Sequence, residues 1–558
     1  MCGFVGEISN TVDPKIIGEA LDRIKHRGPD YQGYYFDEGI ALGHARLSII
    51  DLNDRSNQPL FSKCGDFILL FNGEIYNYKY LKNNLQNSGV TFLTDSDSEV
   101  ILQAFIKYGV GFTSLLEGMY AIAIYSIKEK RLDCFRDPLG IKPLYFTSIN
   151  ERFIFSSQVS AIRELVNVEK SSISYEGFNV FGSILEPYTY YDNIVALKPG
   201  GHLCYRNGEI TEKRLVEFKI TNGGLNEEYS LERLAKTIDN LLLDSVKRHL
   251  VADVPVALFL SGGLDSAYLA YQLSNLLGDR LTAITISFKE IDESKINEVD
   301  RAKAIARSLG IRHEIRRYDE NDFLSEIENI FEAMDQPTID GVNTYFAAKF
   351  ASELGFKVVL SGTGGDELLS GYNYYRTSDL LIRSRWVDVI VRIFGKLGFN
   401  KPEKLKFIGL GLGSWSSYWL LRRSRGTASK KLYSNFRKKI HETFETGEID
   451  SSLMAQVLDI KHYLLNQLLR DSDWASMYHS VELRTPLVDY RLYDELFKMS
   501  NGISRYGKQQ ILSEILKDKI PKDVLSARKT GFSIPIDVWS RKSFGKDWAN
   551  LVEEKFYN

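Results

Sequence analysis

The sequence predicts a two-domain protein of mixed α/β and α+β class, its second domain built on a parallel sheet. Three observations predict this. At 558 residues the chain is long enough to bury two cores. The apolar run Val256-Ala257-Leu258-Phe259-Leu260 stops at Ser261-Gly262-Gly263, and a helix-periodic segment begins at Leu264. The same plan returns at Val358-Val359-Leu360-Ser361-Gly362-Thr363-Gly364-Gly365-Asp366. A buried strand, a glycine turn and a helix start, used twice, mark a parallel sheet with ligands at the strand carboxyl ends.

Composition narrows the class. Apolar residues make up 44% and charged residues 26%, which fits a globular chain with packed cores. A net charge of −3 gives no general affinity for nucleic acid. No run of 18 apolar residues occurs, so no spanning helix is expected. Cys2, Cys64, Cys134 and Cys204 show neither CxxC nor metal spacing, and read as reduced thiols of a cytoplasmic protein. The start MCGFVGEISN lacks a basic region and a long apolar core, and is not read as a signal peptide.

In the first domain, strand-like runs at 67–71 and 120–125 alternate with helical runs at 16–24 and 99–108. Removal of Met1 would make Cys2 the first residue. Its thiol and a free α-amine would then share one residue, and an amine with a pKa near 8 can act as base for its own side chain. An isolated Met-Cys start would read more simply as a small buried cysteine. Four further segments change that reading: His26-Arg27-Gly28-Pro29-Asp30, Gly43-His44-Ala45-Arg46-Leu47-Ser48, Phe71-Asn72-Gly73-Glu74-Ile75-Tyr76 and Asp95-Ser96-Asp97-Ser98-Glu99. With Cys2 they resemble the glutamine amidotransferase domain of the N-terminal nucleophile (Ntn) hydrolases, which implies an αββα four-layer sandwich.

The resemblance implies roles that suit these residue types. Cys2 would attack the glutamine side-chain amide. The Asn72 amide and the Gly73 N–H would stabilise the oxyanion. Arg46 would hold the substrate carboxylate and Asp97 its ammonium, with Glu74 and Ile49 beside them. Taken alone, Asn72-Gly73 would be a hairpin turn, and Arg46 or Asp97 a surface ion pair. The segment from Phe135 to Tyr145 also matches, as a strand–turn–strand without chemistry of its own. At 155–161 the family usually has Ser-Glu followed by Lys-Ala; here Gln158 and Ser160 stand instead, which bears on the contact between domains.

The first domain is expected over 1–210. A polar linker follows over 211–229, rich in Asn, Gly and Glu, and the second domain fills 230–558. It opens with an amphipathic helix at 231–250 and continues with a strand at 281–288 and a helix at 299–309. In Ser261-Gly262-Gly263-Leu264-Asp265-Ser266 the two glycines free backbone N–H groups, two hydroxyls add donors, and the helix start favours anions. The turn should hold a phosphate or pyrophosphate. It is not a Walker loop, because the GxxxxGK[ST] spacing is absent. Asp265 suits an anion site only if a cation bridges it to the phosphates, and Asp366 on the second turn could share that cation. Either turn alone would pass for an ordinary bend with a helix-capping acid.

The SGGLDS turn resembles the loop of ATP pyrophosphatases. The run from Asp473 to Asp489, Tyr506-Gly507-Lys508 and Arg528-Lys529-Thr530-Gly531-Phe532 match the asparagine synthetase family. Resemblance then covers nearly the whole chain. It implies ATP and Mg²⁺, an ATP site of Leu260, Ser261, Gly262, Gly263, Asp265, Ser266, Ile286, Ser361 and Gly362, metal ligation by Asp265 and Asp366, and a charge-steadying role for Lys508. The implied activity is glutamine-dependent asparagine synthesis. Glutamine is hydrolysed at Cys2, ammonia passes through a closed route, and an acyl-adenylate of aspartate accepts it. A storage homologue would have lost Cys2 or Asp265, and a simple glutaminase would lack SGGLDS.

Two features point elsewhere for the acceptor. Many members carry Glu in the SGxG turn, where this chain has Thr363, and a hydroxyl cannot replace a carboxylate base. The segment from Asp335 to Tyr345 resembles a paralogous branch associated with amidation of sugar uronic acids in surface-polysaccharide biosynthesis. In addition, residues 376–439 hold 16 Lys and Arg against 3 Asp and Glu. A basic amphipathic helix there could meet an anionic membrane surface or acceptor. The spacing favours a helix packed on its own domain with a solvated basic face. A homodimer stays open, since one chain does not reveal its oligomeric state.

Overall fold

The structure is a computed structural model that describes residues 2–216, 229–292, 298–372, 374, 375, 419, 423, 425, 451–526 and 534–558. The basic segment 376–439 falls almost wholly outside these, as do residues 217–228 of the expected linker and the motif at 528–532.

Twelve strands form two antiparallel sheets before the linker. They are β1 (Cys2–Ile8), β2 (Tyr31–Asp37), β3 (Ile40–Arg46), β4 (Leu60–Phe61), β5 (Phe67–Ile75), β6 (Gly118–Ser126), β7 (Arg131–Arg136), β8 (Tyr145–Ile149), β9 (Arg152–Ser156), β10 (Val195–Ala196), β11 (Gly201–Arg206) and β12 (Glu209–Arg214). The orders are β10-β8-β9-β1-β3-β2 and β12-β11-β7-β6-β5-β4. β12 continues to Arg214, beyond the expected boundary at 210, because it pairs with β11 along its whole length.

Alternation along the strands decides the layering. Phe4, Ile68 and Leu70 point into an apolar core shared by both sheets. Their neighbour Val5 faces outward, towards Ile17, Leu21 and Ile162 of the helices Pro14–Arg23 and Val159–Leu165. Leu69 and Phe71 face the other way, onto Leu81, Leu85, Ile101 and Phe105 of the helices Tyr78–Asn87 and Asp97–Tyr108. Helix, sheet, sheet, helix is the expected four-layer sandwich.

Among the described residues the second domain has a five-stranded parallel sheet, from β13 (Val256–Phe259), β14 (Thr282–Phe288), β15 (Arg312–Tyr318), β16 (Val358–Leu360) and β17 (Glu482–Arg484). Its order is β15-β14-β13-β16-β17. The chain leaves β13 towards β14 on one side and reaches β16 on the other, so the order reverses at β13. Crevices for ligands form at such a point, outside the strand carboxyl ends. Both glycine turns lie there. The helix Leu231–His249 packs against the domain through Leu234, Ile238, Leu242 and Val246, spaced four residues apart. Among the described residues no helix is long and apolar enough to cross a membrane.

Candidate active sites

Cys2 opens β1 and pairs with Arg46 on β3. The thiol is buried, and its pKa is raised chiefly by that burial; the Leu47 backbone N–H and the Arg46 charge pull it down less strongly. A base is therefore needed to make the thiolate. The Cys2 backbone nitrogen, which would become the α-amine on loss of Met1, donates to Asn72 Oδ1 at 3.2 Å. That bond fixes the orientation of the Asn72 amide. Its Nδ2 is then left as a fully buried donor without a hydrogen-bond partner. Buried polar groups are rarely left so, and such a donor suits an oxyanion.

Asn72 and Gly73 are not a turn. Both lie within β5, opposite Ala121 and Tyr120 of β6. A Cβ on Gly73 would come within 2.1 Å of the Met119 carbonyl oxygen, so only glycine fits. The acids of the Asp95–Glu99 stretch divide their work. Asp95 pairs outside with Lys82 at 2.6 Å and Arg55 at 2.8 Å. Glu99 accepts the Thr94 N–H at 2.6 Å and fixes the loop. Asp97 is buried, accepts the Ile75 N–H at 3.1 Å, and is pushed up to about 6 by burial. Glu74 is also buried; one oxygen takes a 2.8 Å bond from Arg484, and Oε1 has no hydrogen-bond partner. Burial, together with Asp97 and Glu482, raises its pKa against the pull of Arg484.

Arg46 is placed beside Cys2, but its terminal nitrogens already donate to chain oxygens. Nη1 bonds Asn53 O at 3.0 Å and Asn57 Oδ1 at 2.7 Å; Nη2 bonds Ile50 O at 3.2 Å and Asp51 O at 2.5 Å. A substrate carboxylate would have to displace these acceptors or use Nε. Ile49 is buried next to this loop and anchors it, its carbonyl accepting the Asp253 N–H at 2.9 Å.

The second site surrounds the two glycine turns. A cavity of about 220 Å³ there is lined by eight of the nine residues expected to bind ATP, namely Leu260, Ser261, Gly263, Asp265, Ser266, Ile286, Ser361 and Gly362. Gly262 does not line it. Its φ of +78° turns the loop, and a Cβ would meet the Glu298 carbonyl oxygen at 2.6 Å. Ser266 Oγ accepts from the Ser261 N–H at 3.2 Å and bonds Gly263 O at 3.0 Å, which holds the turn in shape. Thr285, Asn343 and Thr344 also line it; the last two belong to the segment from Asp335 to Tyr345.

Asp265 and Asp366 converge on one cation. Lys508 Nζ lies 2.6 Å from Asp265 Oδ2 and also pairs with Asp366 Oδ1. Gly507, at φ +73° and ψ 164°, breaks the helix Ser500–Leu516 just before it and aims the lysine at the pair. Burial lowers the Lys508 pKa, but the two carboxylates outweigh it and hold the ammonium charged. Thr363 also lines the cavity, its hydroxyl 2.9 Å from that of Ser361. Two carboxylates beside a phosphate-sized turn are the hard oxygen donors that Mg²⁺ takes together with substrate phosphates. Among the described residues no group of three or more His, Cys, Asp or Glu could hold a metal by itself.

Four residues without an assigned role from sequence link the two domains beside the first site. Arg27, fully buried, donates from Nε to the Cys2 carbonyl at 3.1 Å and forks onto Asp473 at 2.7 and 3.1 Å. Arg484 binds Glu74 and, at 2.5 Å, Glu482. The conspicuous arginines of HRGPD and VELR were the available signal. Their partners in the other domain, Asp473 and Glu74, lie hundreds of positions away, so sequence could not pair them. The altered segment at Gln158 and Ser160 contacts the second domain through its backbone: Asp335 accepts the Val159 and Ser160 N–H groups at 2.7 and 2.8 Å.

Residues 1–216 match the family model described as glutamine amidotransferase domain, and residues 237–555 that described as asparagine synthase. The chain is 31% identical to asparagine synthetase [glutamine-hydrolyzing] 1 of Bacillus subtilis, over 99% of this chain and 90% of that one. It is 30% identical to a putative asparagine synthetase of Mycobacterium tuberculosis, over 98% and 90%. It is also 26% identical to the amidase chry2 of Gibberella zeae, over 99% and 92%.

Proposed function

The chain belongs to the asparagine synthase family, and from that premise we propose that it makes asparagine from aspartate, taking nitrogen from glutamine at Cys2 and using ATP to activate the acceptor. One observation carries the reading. A buried cysteine whose backbone nitrogen bonds an amide with an unpartnered donor, and a carboxylate pair closed on a lysine beside two serine-glycine turns, stand in separate domains of one chain.

Each residue has a stated task in this reading. The Cys2 thiol gives its proton to its own α-amine, and the sulfur adds to the glutamine amide carbon. The amide oxygen gains negative charge and takes hydrogen bonds from Asn72 Nδ2 and the Gly73 N–H. Asp97 and Glu74 face the substrate ammonium. When the carbon–nitrogen bond breaks, ammonia leaves with the proton from the amine, and water later frees glutamate from the thioester. In the other domain the acceptor carboxylate attacks the α-phosphate of ATP and pyrophosphate departs; ammonia then adds to the acyl carbon, gives up a proton, and AMP leaves. Asp265 and Asp366 would hold Mg²⁺, which neutralises charge on the departing pyrophosphate. The N–H groups of the Ser261–Gly263 turn and the start of the following helix steady the same charge. Lys508 adds a cation at that place.

A second reading keeps all of this and changes the acceptor to a sugar uronic acid or another carboxylate. Thr363 favours it, because its hydroxyl pairs with Ser361 and supplies no base at the turn where many relatives have Glu. The deciding experiment is an acceptor screen with glutamine and ATP that follows AMP and pyrophosphate. Strict dependence on aspartate supports the first reading. Turnover with a uronate and none with aspartate selects the second.

A further inference from the structure

We propose that Arg484 is a positioning residue that couples the two sites, so that filling the ATP turn changes the reactivity of Cys2. This rests on reading Cys2 as the nucleophile and the serine-glycine turns as the ATP site.

Arg484 ends β17, and its two ends reach different sites. Its carbonyl accepts the Ser361 N–H at 2.8 Å, and Ser361 lines the cavity at the second turn. Its side chain, fully buried, runs into the first domain. Nη1 donates to His249 O at 2.8 Å and Val251 O at 2.6 Å, Nε to Glu482 Oε1 at 2.5 Å, and Nη2 to Glu74 Oε2 at 2.8 Å. Glu74 follows Gly73 directly on β5. A single residue therefore spans from the nucleotide turn to the neighbour of the oxyanion donor.

The connection is stiff. Four of the five N–H groups of the planar guanidinium are used, and each is directed at a fixed acceptor. Glu74 depends on this contact. It is buried near Asp97 and Glu482, and withdrawal of Arg484 would remove the largest positive charge acting on it. A small shift of Ser361 on nucleotide binding would thus be felt at Glu74 and at the adjoining Asn72-Gly73 backbone. The opposite wall of the thiol site is tied across the domains in the same manner, through Asp473, Arg27 and the Cys2 carbonyl.

The test uses the full-length protein and the glutamine-mimicking electrophile 6-diazo-5-oxo-L-norleucine. The rate of Cys2 modification is followed by mass spectrometry with and without ATP and Mg²⁺. ATP is expected to change the wild-type rate by about fivefold or more, the range of ordinary coupling between sites. In Arg484→Lys the ratio of the two rates should collapse towards one, because an ammonium cannot hold the same four acceptors. If Arg484→Lys does not fold, Glu74→Asp shortens the link by one methylene and carries the same expectation. A wild-type rate indifferent to ATP overturns the coupling while leaving Cys2 as nucleophile. A variant that slows both rates but keeps the ratio also overturns it, since that is what a purely structural arginine would do. Absence of any Cys2 modification overturns the nucleophile reading itself.

Discussion

Asn72 Oδ1 lies 3.2 Å from the Cys2 nitrogen, and this one bond leaves the other end of the same amide without a hydrogen-bond partner. In the proposed reaction this strand residue would orient the nucleophile's amine and present a donor to the reacting amide. Asn72→Ala removes both effects. The glutaminase kcat should fall by about 10²–10³-fold, the usual cost of one oxyanion donor. Steady-state release of glutamate measures it. Cys2→Ala should abolish glutamine use, while amide formation from added ammonia continues.

Asp97 predicts a pH effect on substrate binding. Burial raises its pKa to about 6, so the carboxylate is charged above that pH and neutral below it. Only the charged form attracts the glutamine ammonium. KM for glutamine should therefore rise as pH falls through about 6 and level off above it. Asp97→Asn should have a high, pH-independent KM over the same range. A wild-type KM flat from pH 5 to 8 would refute the assignment.

The Asp265–Lys508–Asp366 group predicts losses confined to the second domain. Asp265→Asn and Asp366→Asn should each lower AMP formation by ~10²-fold or more, because charge on the departing pyrophosphate loses its main counter-ion. Both should also weaken the dependence of the residual rate on Mg²⁺ concentration. Glutamine hydrolysis measured without ATP should change little.

Gly262 tests the turn. An alanine there would carry a methyl 2.6 Å from the Glu298 carbonyl oxygen, at a φ of +78° that side chains avoid. Gly262→Ala should destabilise the protein by about 1–3 kcal/mol and weaken ATP binding. Thermal unfolding and nucleotide titration read the two effects separately.

Asp473→Asn leaves the buried Arg27 charge without its carboxylate. Breaking such a pair costs about 3–5 kcal/mol. Unfolding in denaturant should shift accordingly, and glutaminase activity should fall as Arg27 loosens its hold on the Cys2 carbonyl.

Much of this was legible in one dimension. The apolar runs at Phe4-Val5 and 67–71 mark strands. SGGLDS and SGTGGD mark turns, since two short sequences specify their own backbone geometry. Cys2, Asn72 and Asp97 stand in motifs whose chemistry is local. Other features had no local signal. Asn72-Gly73 looks like a hairpin turn, and only its pairing with Ala121 and Tyr120 makes it strand. Arg46 looks free to take a carboxylate, and only folding surrounds it with carbonyls.

While the layered plan of the first domain was implied by family resemblance, the sequence by itself determined the two-domain division, the parallel sheet of the second domain and the residue types available for thiol and nucleotide chemistry. These follow from periodicity, turn chemistry and motif spacing, all carried by neighbouring residues. Tertiary structure alone decided that Asp265 and Asp366 meet on Lys508, that Arg27 backs Cys2 through Asp473, and that Arg484 reaches both Ser361 and Glu74. Buried charges must find partners wherever packing brings them, and those partners come from distant segments that no local pattern can pair.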